Sequence, residues 1–179
     1  MRMRYTIAGL GFLYVTLPTQ PYVPWVPTRD HVIDKIFRIA KLGKNDVFYD
    51  LGCGDGRVAI EAAKRYGVKS VCIEIRKDLI EKARKRVREE GLEDFVEIIH
   101  GNFFEIPLRE ATVVYMYLLT SVNNMLKPKL KRELRVGTRI ITLDFEIPGW
   151  SPVHVDGNGT WQGTIYLYVR GISDIHDQA

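Results

Sequence analysis

Apolar and polar positions follow strand periodicity and helical periodicity in turn, which predicts an α/β fold. Residues 47–51 form a short apolar run typical of a buried strand, and a glycine-rich turn and an amphipathic helix follow it. Apolar runs at 68–75 and 96–100 then flank a helical pattern at 78–90. Strands that alternate with helices in this way predict a parallel, doubly wound sheet.

The chain on either side of these elements continues the pattern. Apolar residues at helical spacing predict a helix over 29–42, and Thr28 is placed to cap its amino end. The nearly all-apolar run at 112–119 predicts a fourth strand at the centre of the sheet. A short helix with a break at Pro128 and a fifth strand at 138–143 are expected after it.

The end of the sequence predicts a hairpin instead of another helix. Strand patterns at 152–156 and 164–170 enclose the turn signal Gly157-Asn158-Gly159. The expected fold is therefore a Rossmann-like, mostly parallel seven-stranded sheet with a terminal antiparallel hairpin.

We divide the chain into an N-terminal arm (1–28), a main domain (29–171) and a polar tail (172–179) that we expect to fray. The apolar run at 7–17 is shorter than the roughly 17–25 residues of a membrane-spanning helix. No cleavage site of small residues follows it, so a packed strand or arm is favoured over a signal peptide or weak membrane anchor. The prolines at 18–27 predict an extended conformation for the rest of the arm.

Composition is that of an ordinary soluble domain, since 46% of the 179 residues are hydrophobic and 27% are charged. The net charge of +4 leaves room for a non-catalytic nucleic-acid-binding module, although a solvated basic face is the simpler interpretation. Cys53 and Cys72 are too few for a disulfide framework or a zinc site, and we expect both to be reduced. The expectation is a cytoplasmic monomer without a metal.

Chemistry concentrates at the turn after the first strand, where Gly52, Gly54 and Gly56 follow Asp50 at every second position. Glycine permits unusual dihedral angles there and lets a ligand approach the backbone closely. Arg57 stands where the dinucleotide motif G-x-G-x-x-G has its third glycine, which disfavours a nicotinamide dehydrogenase. The stretch resembles motif I of the class I S-adenosylmethionine (SAM) methyltransferases, whose glycines approach the methionine part of the cofactor.

The ends of the next two strands supply further candidates for cofactor binding. Glu74 ends the second strand, where a carboxylate can accept two hydrogen bonds from ribose hydroxyls. Asn102 and Phe103 follow the third strand, where this fold offers a polar side chain to the edge of adenine and an apolar one to its face.

The end of the fourth strand should face the methyl group, because ligands bind at the carboxyl ends of such strands. Methyltransferases that act on exocyclic amines of nucleic acids or glutamine usually carry an Asn/Asp/Ser-Pro-Pro-aromatic motif here, which this chain lacks. Our candidates for contact with the substrate are Tyr117, Thr120 and Asn123.

Over about residues 22–168 the chain resembles the small archaeal seven-strand (class I, non-SET) protein lysine methyltransferases. The resemblance is carried by Val-Pro-Thr at 26–28, the motif at 50–56, Glu74, NNMLKPKL at 123–130 and FEIPGW at 145–150. It implies SAM-dependent methylation of lysines in basic or chromatin-associated proteins and in the enzyme itself, with nucleic acid involved only through substrate proteins.

The resemblance also implies that the arm folds over the cofactor, with Pro27 and Thr28 as contacts. Trp25 and Thr120 depart from the family pattern, in which Tyr and Pro are usual, and both bear on substrate choice. Motif I alone leaves open a methyltransferase of a small molecule or RNA.

Overall fold

The computed structural model describes residues 24–157 and 159–177. Predictions for the apolar run at 7–17, and for the arm before residue 24, lie outside the described residues. The elements in chain order are α1 Asp30–Ala40, β1 Val47–Leu51, α2 Arg57–Tyr66, β2 Lys69–Glu74, α3 Lys77–Glu89, β3 Val96–His100, β4 Val113–Met116, α4 Thr120–Glu133, β5 Arg139–Leu143, β6 His154–Asp156 and β7 Ile165–Val169. In the described part of the chain, no helix is long and apolar enough to cross a membrane.

The strands form one seven-stranded sheet in the order β3-β2-β1-β4-β5-β7-β6. The first five strands are parallel, while β7 runs antiparallel to β5 and β6 antiparallel to β7. The predicted doubly wound sheet with a terminal hairpin is confirmed. The strand order reverses between β1 and β4, and this switch point places a crevice at their carboxyl ends.

Helices cover both faces of the sheet, as the hydrophobic patterns predict. The buried face of α1 joins a core cluster that includes Phe48 on β1 and Ile141 on β5. The buried residues of α1 and α3 are those at the predicted helical positions, namely Val32, Ile33, Ile36, Phe37 and Ala40, and Leu79, Ile80, Ala83 and Val87.

Two local predictions about helices are wrong. The N-cap of α1 is Arg29, which makes no side-chain capping bond, and the Thr28 hydroxyl instead lies 2.9 Å from the Tyr115 hydroxyl. α4 does not break at Pro128 but continues through it. Proline cannot donate to the carbonyl four residues earlier, that of Asn124, and Asn124 is exposed so that water can supply the missing partner.

The polar tail is packed onto the domain as far as residue 177, contrary to the expected fraying. Ser173 and Asp174 are buried, and Asp177 accepts hydrogen bonds from Lys127 (3.0 Å) and from the indole of Trp150 (2.9 Å). Although burial opposes ionisation, these donors lower the pKa of Asp177 to about 2. The acidic side chains that indicated a solvated tail, Asp174 and Asp177, are the groups that bind the tail to the domain.

The prediction of two reduced cysteines is also wrong, because Cys53 and Cys72 form a disulfide. Asp50 on β1 pairs with Cys72 on β2, so the turn that follows β1 returns next to the neighbouring strand. Sequence spacing could not show this proximity, which arises from parallel pairing of the two strands.

Candidate cofactor and substrate site

A cavity of about 300 Å³ opens at the carboxyl ends of β1, β2 and β4 and extends under the arm. Many of the residues singled out in the sequence line it, namely Pro27, Thr28, Asp50, Gly52, Glu74, Asn102, Phe103 and Tyr117. Gly54, Gly56, Thr120 and Asn123 are not among the lining residues.

The glycine turn has positive φ at Gly52, Gly54 and Gly56 (81°, 59° and 79°). A Cβ on Gly52 would lie 3.1 Å from Leu118 and one on Gly56 would lie 3.0 Å from Ala83. Gly52 therefore leaves space along the cavity wall, whereas Gly56 permits close packing of the turn against α3.

Glu74 is held by the backbone around it. Its Oε2 accepts from the amide of Gly54 at 3.0 Å, and its Oε1 accepts from the amides of Ile75 and Arg76, each at 2.9 Å. A carboxylate offers about four acceptor positions, so one position, on Oε2, remains for a hydroxyl donor.

Asp50 is nearly inaccessible, and its Oδ2 has no hydrogen-bond partner among the described residues. Burial raises the pKa of the Asp50 carboxyl well above its usual range, and the neighbouring carboxylates of Glu74 and Asp55 raise it further. A buried carboxylate without a partner is costly, and a cation in the cavity would compensate it. The site therefore fits a ligand that carries an amino group, as the methionine part of SAM does.

Asp55 is paired with two arginines beside the turn. Arg57 contacts it through Nε (3.0 Å) and Nη2 (2.9 Å), and Arg86 contacts it at 3.1 Å. Burial opposes ionisation of Asp55, but the hydrogen bonds and charge of Arg57, with the charge of Arg86, lower its pKa. Arg57 also donates to the carbonyl of Thr28 at 3.4 Å, which links the turn to the arm.

The arm is joined to the far edge of the site by Gln162. The Gln162 amide donates to the carbonyl of Pro27 and accepts from the backbone amide of Arg29, both at 2.9 Å. This buried residue lies between β6 and β7, so the chain's described amino end contacts its terminal hairpin.

Tyr117 directly follows β4 and lines the cavity. Its hydroxyl donates to Asp144 Oδ2 at 3.3 Å. Burial raises the pKa of Tyr117, and the adjacent Asp144 carboxylate raises it further, so the phenol keeps its proton. The ring centroid lies 6.1 Å from that of Phe145 and 6.3 Å from that of Trp161.

The other two substrate candidates lie elsewhere. Thr120 is exposed at the start of α4. Asn123 is fully buried and donates to the carbonyls of Phe145 (3.0 Å) and Glu146 (3.2 Å), so its amide group fixes the segment after β5. Of the three candidates, the structure brings only Tyr117 to the cavity.

Asn102 lines the cavity, but its amide already has local partners. Its Oδ1 accepts from the amide of Phe104 at 3.0 Å and its Nδ2 donates to Glu105 at 3.2 Å. The ring of Phe103 packs against that of Phe104 with centroids 5.0 Å apart. Among the described residues, no group of three or more His, Cys, Asp or Glu could hold a metal ion.

Sequence reasoning missed Tyr115, Asp144 and Gln162. Tyr115 on β4 stands two positions before Tyr117, and this strand periodicity could have identified it. Asp144 and Gln162 gave no local signal, because both adopt positive φ (59° and 53°) and find their partners only in the folded chain.

Comparison with known proteins gives consistent results. A family model described as the ANTKMT methyltransferase domain matches residues 50–154. The chain is 49% identical over 156 residues to a protein-lysine N-methyltransferase of Saccharolobus islandicus, covering 84% of this chain and 96% of that protein. It is 32% identical over 161 residues to the adenine nucleotide translocase lysine N-methyltransferase of Mus musculus, covering 87% of this chain and 69% of that protein.

A similar solved structure is that of an RNA methyltransferase from Salinibacter ruber in complex with S-adenosyl-L-homocysteine. It superposes with a TM-score of 0.80 at 41% identity and covers 86% of this chain and all of that one. The family match, the shared class I fold and the cavity beside the glycine turn agree. This chain belongs to the ANTKMT methyltransferase domain family, and its cofactor is SAM.

Proposed function

We propose that the protein transfers a methyl group from SAM to the side-chain amine of lysines in other proteins and in itself. The observation that carries this proposal is the 49% identity to an archaeal protein-lysine N-methyltransferase, which extends over almost the whole of that enzyme. The identity to a lysine N-methyltransferase from mouse supports the same chemistry.

The cofactor is assigned to the cavity under the arm. Asp50 would bind the amino group, Glu74 the ribose hydroxyls, and Asn102 and Phe103 the adenine. Gly52, Gly54 and Gly56 shape the turn beside which the methionine part would lie, and Pro27 and Thr28 would cover it. When bound, SAM supplies an activated methyl group on a positively charged sulfonium.

The incoming lysine has to arrive as a neutral amine. Its ordinary pKa of about 10.4 corresponds to about 4.6 kcal/mol for deprotonation at pH 7. Burial in the cavity and a nearby positive charge both disfavour the ammonium, so a strong base is not required. The cavity is consistent with this, since no histidine is among its lining residues.

Tyr117 is suited to orient this amine instead of deprotonating it. Its phenol keeps its proton and donates a hydrogen bond to Asp144, so an oxygen lone pair can accept from an amine N–H. The ring face adds an electron-rich surface for the positive charge that develops. Thr120 and Asn123 lie outside the cavity, and we assign them no contact with the reacting atoms.

The finer parts of the proposal concern targets and setting. We propose basic, chromatin-associated proteins as substrates, action as a monomer in the cytoplasm of an archaeon, and contact with nucleic acid only through the substrate proteins. The net charge of +4 is compatible with substrate proteins that are themselves bound to nucleic acid, and the archaeal relative supports the archaeal setting.

The test is to incubate the purified protein with methyl-labelled SAM, basic proteins and RNA, and to locate the label by mass spectrometry after digestion. Label on lysine side chains, including those of the enzyme, is the expected result. Label only on RNA would overturn the assignment while leaving the cofactor site intact.

RNA methylation is the second candidate, because the similar solved structure is described as an RNA methyltransferase. The end of β4 continues as Tyr117-Leu118-Leu119-Thr120 and lacks the motif usual for methylation of nucleic-acid amines. The lysine assignment is therefore favoured, and the RNA fraction of the same experiment decides between them.

A further inference from the structure

The wall of the cavity continues outward from Tyr117 through two more aromatic rings. Tyr117 lies 6.1 Å from Phe145 and 6.3 Å from Trp161, between ring centroids. Tyr117 lines the cavity, Phe145 is half-buried and Trp161 is 57% exposed. These three rings, called the aromatic path below, connect the cavity to solvent.

The backbone that carries Trp161 is held firmly in place. The amide of Gln162 donates to Asp144 Oδ2 at 2.7 Å, and those of Gly163 and Thr164 donate to Asp144 Oδ1 at 3.0 and 3.2 Å. Asp144 and Gln162 both have positive φ. Such conformations cost energy in residues other than glycine and are found most often at functional sites.

The carboxylate that organises this turn also binds the hydroxyl of Tyr117. Asp144 therefore sets the position of the inner ring of the aromatic path and of the backbone beside the outer ring. Gln162 adds the link to the arm through the backbone of Pro27 and Arg29. The exposed indole of Trp161 therefore lies on a constrained turn beside Tyr117.

We propose that Trp161 contacts the substrate lysine and forms the outer part of the channel by which it reaches the cavity, with Asp144 and Gln162 as positioning residues. This inference rests on the proposed lysine methylation. An indole face attracts an ammonium group and also packs against the methylenes of a lysine stem. The lysine side chain passes Trp161 as a cation and meets Tyr117 inside the cavity.

Carboxylates predominate next to the aromatic path, although the positive charge of Arg29 also acts on Tyr117. Asp144 and the exposed Glu146 flank Phe145 in the sequence. Carboxylates at this position attract an ammonium group and repel a nucleic-acid backbone. An RNA base could also stack on an indole, but its phosphate backbone would be repelled here. A lysine side chain therefore fits the aromatic path better.

The test compares Trp161→Ala and Trp161→Phe with the unmodified full-length chain, using a Gly/Ser-rich peptide that carries one lysine and saturating SAM. Trp161→Ala should raise KM for the peptide about tenfold, because loss of a cation–π contact reduces affinity by about that factor. SAM affinity by calorimetry and the melting temperature should stay unchanged, and Trp161→Phe should keep most of the affinity for the peptide.

Phe95→Ala is the matched control. Phe95 is an exposed aromatic residue just before β3, at the end of the sheet opposite the cavity, so its removal should leave KM unchanged. Gln162→Ala should raise KM for the peptide when it is the only substitution. In the Trp161→Ala background it should raise KM no further, whereas a residue with a merely structural role would raise KM in both backgrounds.

Two outcomes would count against the inference in different ways. An unmodified enzyme that binds SAM but methylates no lysine refutes the proposed function and the channel together. An active enzyme whose KM does not change in Trp161→Ala, or a Trp161→Ala variant that loses affinity for RNA instead of the peptide, refutes the channel alone.

Discussion

The indole of Trp25 lies directly against Gly54, so closely that a Cβ built on Gly54 would be 2.2 Å from the Trp25 Nε1. The turn that follows β1 is therefore in contact with the arm that covers it. The indole is also 5.7 Å from the ammonium of Lys82 on α3, which places a cation over its ring. Trp25 departs from the family pattern at a position where it touches the glycine motif itself.

Gly54→Ala should lower SAM affinity at least about tenfold, because the methyl group displaces Trp25 and disturbs the turn. Calorimetric titration measures this. Gly67→Ala is the control, since Gly67 has a similar φ (63° against 59°) but nothing within 4 Å of its Cβ position. Both substitutions place an alanine at positive φ, but only Gly54→Ala also brings a Cβ against the Trp25 indole. Equal SAM affinity in the two would remove Trp25 from the cofactor site.

Asp50→Asn should abolish most SAM binding, by about 100-fold or more, because a buried charged pair with the cofactor's amino group would be lost. The same substitution should raise the melting temperature of the free protein. Burial raises the pKa of Asp50 in the folded state above its unfolded value, so the ionised carboxylate destabilises the fold at neutral pH.

The pH dependence follows with the same sign. The protein loses stability as pH rises from the unfolded pKa of Asp50 to its raised folded pKa. SAM affinity should rise as pH passes through the folded pKa, because the cofactor's amino group would bind the ionised carboxylate. Asp50→Asn should remove both dependences. A variant that melts lower than the unmodified chain and binds SAM equally well would contradict this assignment.

Tyr117→Phe should lower turnover with lysine by about tenfold or more and change SAM affinity little. The ring and its contacts with Phe145 and Trp161 remain, so only the hydroxyl that donates to Asp144 is removed. Steady-state kinetics at saturating SAM and calorimetry separate the two effects. Equal losses in both measurements would place Tyr117 on the cofactor side of the cavity.

Reducing the disulfide should lower stability by about 3 kcal/mol, the chain-entropy value for a loop of this size, or roughly 6–12 °C in melting temperature. The two cysteines are separated by 19 positions and connect the glycine turn to β2. Thermal melts with and without reductant test this. Cys72→Ala should melt at the same temperature in both conditions, and a shift of equal size in that variant would assign the effect to something other than the disulfide.

The sequence predicts well those features that arise locally. The strand, glycine turn and helix around Asp50 follow from short-range pattern, as does Glu74 at the end of β2, and the sheet order follows from the alternation of elements. Prediction fails where a side chain binds a partner that is distant in the sequence. Asn123 was expected at the substrate because of its place after β4, but its amide has a structural task in the segment after β5.

Polar segments are the other source of error, because hydrophobic pattern treats charge as a sign of solvent exposure. Asp177 and Asp144 each accept several hydrogen bonds and fix the tail and the hairpin turn. Cys53 and Cys72 were assigned as reduced from their number alone, whereas their pairing depends on strand register. These partners are distant in the sequence, and strand pairing or packing brings them together only in the folded chain.

The hydrogen bonds of Gln162 to Pro27 and Arg29 join residues that are 135 and 133 positions apart. During synthesis, the arm leaves the ribosome early, and its partner follows only when most of the chain has been made. A nascent chain that stops before the hairpin already contains Asp50, Glu74 and the glycine turn. It cannot yet form these two bonds, so until the hairpin has been made the arm depends on its contacts with the glycine turn, α2 and β4, through Trp25, Arg57 and Tyr115.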